Sequence, residues 1–135
     1  MKLRALKWVG IASLLGPLVW VVFVYFSRPV VVLHYSEHAI KRLGYFFNNN
    51  HNITKRGLNP GETVKFPTAT FPAPDTWILL TFPRERGDIL EITEPFSRID
   101  VCIVEGGGIE RTVVRHGFFD RFTDLNPPCD SAPEN

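Results

Sequence analysis

From Trp8 to Phe26 the chain runs for nineteen residues without a charged side chain, and Val, Leu, Ile and aromatic residues dominate the run. A helix of that length covers about 28 Å, close to the ~30 Å hydrocarbon thickness of a bilayer. Within lipid every backbone amide must find its partner inside the segment, so the expectation is a single transmembrane helix. Gly16-Pro17 falls mid-span and predicts a kink. Trp8 and Tyr25 stand near its two ends, where amphipathic rings favour the interface, and Trp20 lies deeper. A cleaved signal peptide competes with this reading. The apolar run exceeds the roughly 7–15 residues of a signal core, and Tyr25-Phe26-Ser27-Arg28-Pro29 contains no small-x-small cleavage site, which points to an uncleaved signal-anchor.

Charge orients the span. Lys2, Arg4 and Lys7 precede it and the next charge is Arg28, so the N-terminus is expected in the cytoplasm of a single-pass cell-membrane protein, with the C-terminal domain periplasmic or extracellular. The 15 Lys and Arg balance 14 Asp and Glu over 135 residues, and without the three leading cations the remainder is slightly acidic. A basic footprint for nucleic acid is therefore absent. The organisation expected is a basic cytoplasmic segment (1–7), the transmembrane helix (8–26), an extracytoplasmic β-sandwich domain (27–123) and a disordered tail (124–135), whose last residues lack apolar side chains. Ala12 and Gly16 form a small-xxx-small pair that would let two helices approach, making a homodimer one option.

After Pro29 the apolar residues come in short β-branched and aromatic runs separated by turn residues. The strands expected are Val30–Tyr35, Ile40–Asn48, Glu62–Phe66, Thr76–Phe82, Asp88–Thr93, Ile99–Glu105 and Ile109–Arg115. About seven strands in this length suit an all-β domain, an immunoglobulin-like or related Greek-key sandwich. Turns fall at Asn48–Asn52, at Asn59-Pro60-Gly61, at Arg84–Asp88 and at Gly106-Gly107-Gly108, where Gly and Asn tolerate positive φ and Pro presets φ. Apolar residues on both parities make the runs from Asp88 and Ile99 central strands, whereas the charges alternating along Ile109–Arg115 suit a solvated edge. Pro67–Asp75 reads as a crossover between sheets, and Phe118–Phe122 as a short helical turn. Its three rings, Phe118, Phe119 and Phe122, are expected to pack beneath the sandwich.

Cys102 and Cys129 could form one disulfide in an oxidising compartment, worth roughly 3–4 kcal/mol by loop entropy; against it, Cys102 in mid-strand also suits a small buried hydrophobe. Two lone cysteines make a poor metal site.

The candidates for chemistry are weak. His34 and His38 have i, i+4 spacing, but in a strand they would lie about 13 Å apart, too far to share an ion unless the fold returns His51 or His116 to one of them. Glu91, Glu94 and Asp100 fall at strand surfaces or ends, where alternation predicts solvent-facing acids. The triple glycine precedes a strand and is no phosphate cradle. Arg86-Gly87-Asp88 resembles an adhesion tripeptide but is ordinary turn chemistry, and Asn52-Ile53-Thr54 fits a glycosylation acceptor. No serine has the setting of a nucleophile.

No catalytic, cofactor or metal residues are assigned. The expectation is a non-enzymatic, membrane-anchored binding or scaffold module of the cell envelope. Its partners would be the lipid bilayer and a protein in or near that membrane. Contacts would run through a sheet edge or the loops and cations Asn49, His51, Arg84, Arg86, Arg111 and Arg115, with Arg98 also available to an acidic partner. An immunity protein neutralising an exported toxin is the first alternative, and a small anchored hydrolase or metal-binding protein centred on His34, His38 and His116 the second.

Overall fold

The computed structural model describes residues 2–49, 52–69, 77–83, 88–123 and 129, with side chains of the first helix described for Ser13 and from Leu15 onward. That helix, α1, is Lys2–Phe26, and Pro17 lies inside it without ending it. From Leu15 to Phe26 its large apolar side chains are between 47% and 65% exposed apart from half-buried Val24, so the helix buries no continuous stripe against the domain. Among the described residues no helix is long and apolar enough to cross a membrane; the portion from Leu15 on would by itself cover only about 18 Å.

The rest is mostly β: eight strands in two four-stranded sheets that face each other like a sandwich. The strands are β1 (Val30–Tyr35), β2 (Leu43–Asn48), β3 (Ile53–Leu58), β4 (Thr63–Pro67), β5 (Ile78–Thr81), β6 (Ile89–Ile92), β7 (Arg98–Ile103) and β8 (Ile109–Arg115). One sheet has the order β4-β1-β7-β8 and the other β3-β2-β5-β6. β1 runs parallel to β7, and every other pairing is antiparallel. Alternation sends Val31, Leu33, Tyr35, Ile99, Val101 and Ile103 of the first sheet inward against Leu43, Tyr45, Phe47, Leu58, Ile78 and Leu80 of the second. Phe66 stacks on Phe47 at 4.5 Å and meets Tyr45 edge-on at 5.8 Å. The Tyr45 hydroxyl has no hydrogen-bond partner among the described residues, and burial pushes its pKa up.

Beyond shifts of one or two residues at strand ends, expectations and structure differ in three places. β2 starts at Leu43 because Ser36 to Lys41 forms a turn, in which Ala39 N–H donates to the Ser36 carbonyl and the Tyr35 hydroxyl to the Lys41 carbonyl, leaving Ile40 82% exposed. β3 was not expected at all. Its Lys55, Arg56 and Gly57 carry little strand signal, and it is held by pairing with β2 at an edge. β6, expected to be central, is the other edge of that sheet: Leu90 and Ile92 reach the core, while Ile89 and Glu91 face solvent. β7 is central and β8 an edge, as expected. The crossover from β4 to β5 does pass between sheets, although most of it lies outside the described residues, as do 84–87 and the tail apart from Cys129.

At the end of α1 sits a 3-10 helix, Phe118–Phe122. Its rings do not enter the core: Phe118, Phe119 and Phe122 are 42%, 78% and 47% exposed. The expectation that they pack beneath the sandwich is corrected because the turn follows β8 off the edge of the sheet toward α1, where Phe118 stacks on Phe23 at 6.1 Å.

Candidate functional site

The outward face of the first sheet carries Val30, Val32 and His34 from β1 and Arg98, Asp100 and Cys102 from β7, by the same alternation that sends their neighbours inward. All six are buried, Asp100 completely. Asp100 was expected to face solvent; alternation places it on the correct face, but that face is covered. Arg98 grips Asp100 with two parallel bonds, Nε to Oδ2 at 2.8 Å and Nη2 to Oδ1 at 2.7 Å. His34 Nε2 lies 2.9 Å from Oδ1, and Arg115 Nε stands 4.0 Å from Oδ2. Burial alone would raise the Asp100 pKa, but the hydrogen bonds from His34 and Arg98 outweigh it and hold the carboxyl at about 2.

Three ties hold Arg121, Thr123 and Cys129 to this sheet. Lys65 Nζ donates to the Arg121 carbonyl at 3.2 Å, Arg98 Nη1 donates to the Thr123 carbonyl, and Cys102 is bonded to Cys129 in a disulfide. The charge cluster thus satisfies an ionised acid under a cover that its own arginine helps to fasten. The His34 Nδ1 meets the Thr63 hydroxyl at 3.2 Å, so hydroxyl, imidazole and carboxylate form a row in the order used by nucleophilic triads. With Nε2–H donating to Asp100, Nδ1 can accept from Thr63, a tautomer assigned from the partners. The carboxylate end of the row is neutralised bidentately by Arg98, and the imidazole is buried, so the geometry serves charge satisfaction.

The outward face of the second sheet is built differently. Register places Ile53, Asn48, Leu79 and Glu91 in one row across it and Lys55, Phe46, Thr81 and Ile89 in the next. Ile53 and Ile89 are 69% and 66% exposed, Phe46 and Leu79 are half-buried, and Lys55 lies over the Phe46 ring at 5.3 Å. Four apolar side chains, two exposed and two half-buried, therefore share this face.

Compared with family models, curated proteins and solved structures, the chain matches none.

The residues nominated from sequence do not converge. Asn49 is in the β2–β3 hairpin, where its Oδ1 accepts from Asn52 N–H at 2.9 Å; His51, Arg84 and Arg86 lie outside the described residues. The β2–β3 loop and the β5–β6 loop open at opposite ends of the second sheet, because Asn48 pairs with Leu79 near the start of β5 whereas Thr81 leads into the other loop. They do not form one contact surface. Arg111 and Arg115 stand on β8, Arg115 turned toward Asp100. Arg98 is buried in its ion pair and unavailable to a partner. His38 and His116 are exposed and separate from His34, and among the described residues no group of His, Cys, Asp or Glu could hold a metal. Asp88, the acid of the Arg-Gly-Asp run, accepts from Ile109 N–H at 2.7 Å, tying the β5–β6 hairpin to the glycine loop. That loop needs its glycines: Gly106 and Gly107 have φ near +90°, and a Cβ on Gly107 would stand 2.9 Å from Phe82.

Sequence reasoning missed the His34–Asp100–Arg98 cluster. Its signal was present as Arg98-x-Asp100, opposite charges two apart in an apolar strand, which must share a face and can pair along it.

Proposed function

We propose that the chain is a membrane-anchored, non-catalytic binding module that uses the outward face of its second sheet to hold a protein partner at the membrane surface. The observation that carries the reading is the contrast between sheet faces: one closed over buried charges to which Thr123 and Cys129 are tied, the other presenting Ile53 and Ile89 exposed beside half-buried Phe46 and Leu79. Anchoring is supported by nineteen uncharged residues in a helix whose described large apolar side chains are, apart from Val24, exposed. The preceding cations orient it with the domain outside the cytoplasm, where a disulfide persists. We read the two-sheet topology as an immunoglobulin-like or related Greek-key sandwich.

The test is site-specific photocrosslinking in intact membranes, with a photoreactive residue replacing Ile53 or Ile89 and, as reference, Glu110 on β8. Adducts with one membrane-associated protein from positions 53 and 89, absent from 110, are expected. Adducts from 110 alone, or none from either isoleucine, would overturn the reading.

A further inference from the structure

We propose that the Phe118–Phe122 turn is a second membrane contact, with its rings seated in the interfacial layer of the bilayer that α1 enters. The proposal rests on α1 spanning that bilayer. Phe23 lies three residues before the helix end, so it sits about 4.5 Å below that end along the axis. A ring stacked on Phe23 is therefore carried below the helix exit, and Phe118 is that ring. Its neighbours follow: Phe119 and Phe122 meet Phe118 edge-on at 5.4 and 5.8 Å, and Trp20 meets Phe23 from deeper in the helix at 6.2 Å. One aromatic run thus leaves the helix and continues onto the domain.

The turn is bolted in place rather than resting there. Arg121 donates to the Ser27 carbonyl at the helix exit and, through Nε, to the Ser97 hydroxyl at 3.1 Å, while its guanidinium covers the Phe118 ring at 4.6 Å. Ser27 is buried, so helix, turn and first sheet meet without a flexible linker. Apolar rings fixed at that level have lipid as their natural neighbour, and Phe119, 78% exposed, has no other cover. Arg28, over the Tyr25 ring at 5.0 Å, marks the headgroup level beside them.

The experiment uses the full chain with its disulfide intact, reconstituted into phosphatidylcholine vesicles, with one spin label at a time on Val19→Cys, Phe119→Cys or Ile89→Cys. Power saturation compares access of oxygen with that of a polar nickel complex. At position 119 oxygen access is expected to exceed nickel access several-fold, as at 19, with the reverse at 89, the end of the sandwich farthest from α1. A lipid-exposed label at 19 with an aqueous label at 119 overturns this proposal and leaves the anchor standing. An aqueous label at 19 overturns both.

Discussion

On the outward face of the first sheet His34, Arg98 and Asp100 are polar and buried, whereas on that of the second Ile53 and Ile89 are apolar and exposed. Strand alternation alone would have suggested the reverse assignment of cover. The difference teaches that a sheet face is decided by what the chain lays over it. Roofing charges requires that each be paired, since a buried carboxylate left alone costs several kcal/mol, and the Arg98 and His34 bonds meet that requirement. Leaving apolar side chains bare keeps roughly 1.5–3 kcal/mol per large aliphatic residue in reserve for whatever covers it.

Removing the central acid tests the covered face most severely. Asp100→Asn leaves the Arg98 charge buried without its counterion and is expected to cost about 3–5 kcal/mol in denaturant unfolding of the detergent-solubilised chain. A loss below 1 kcal/mol would mean that water reaches the cluster and that the two faces are alike. Cutting the cover's covalent tie comes next: Cys129→Ala should cost roughly 3–4 kcal/mol, the loop entropy of the disulfide, and reductant should impose a similar loss on the parent but none on the variant.

Acid should find the same cluster. The folded Asp100 pKa of about 2 lies below its unfolded value of 3.8, so its stabilisation is complete above pH 4 and fades as pH falls through about 2. The amount is about 2 kcal/mol, read as the excess acid sensitivity of the parent over Asp100→Asn. On the bare face the expected stability effect is smallest. Ile53→Asp should change unfolding by no more than about 0.5 kcal/mol while abolishing partner crosslinking from position 89; a large destabilisation would show that Ile53 is already covered by its own chain.

Much of the fold was legible because short β-branched and aromatic runs such as Val30–Tyr35 and Ile109–Arg115 are separated by glycine and proline turns. β3 was not, since Ile53-Thr54-Lys55-Arg56-Gly57-Leu58 buries only Leu58 fully and becomes a strand through β2. The site was less legible. Periodicity distinguishes the two faces of a strand but says nothing about a segment that returns from far along the chain, so Asp100 looked like a surface acid and the Phe118–Phe122 rings like core. The cysteines hinted at such a return; their pairing is what makes the hint concrete.

The parallel pairing of β1 with β7 sets a timetable for biogenesis. His34 and Asp100 are 66 positions apart, so β1 waits, unpaired on that side, while most of the domain is synthesised. Such a nonlocal closure slows folding and leaves one edge of β1 open until β7 arrives, the interval in which a holding chaperone would be of most use.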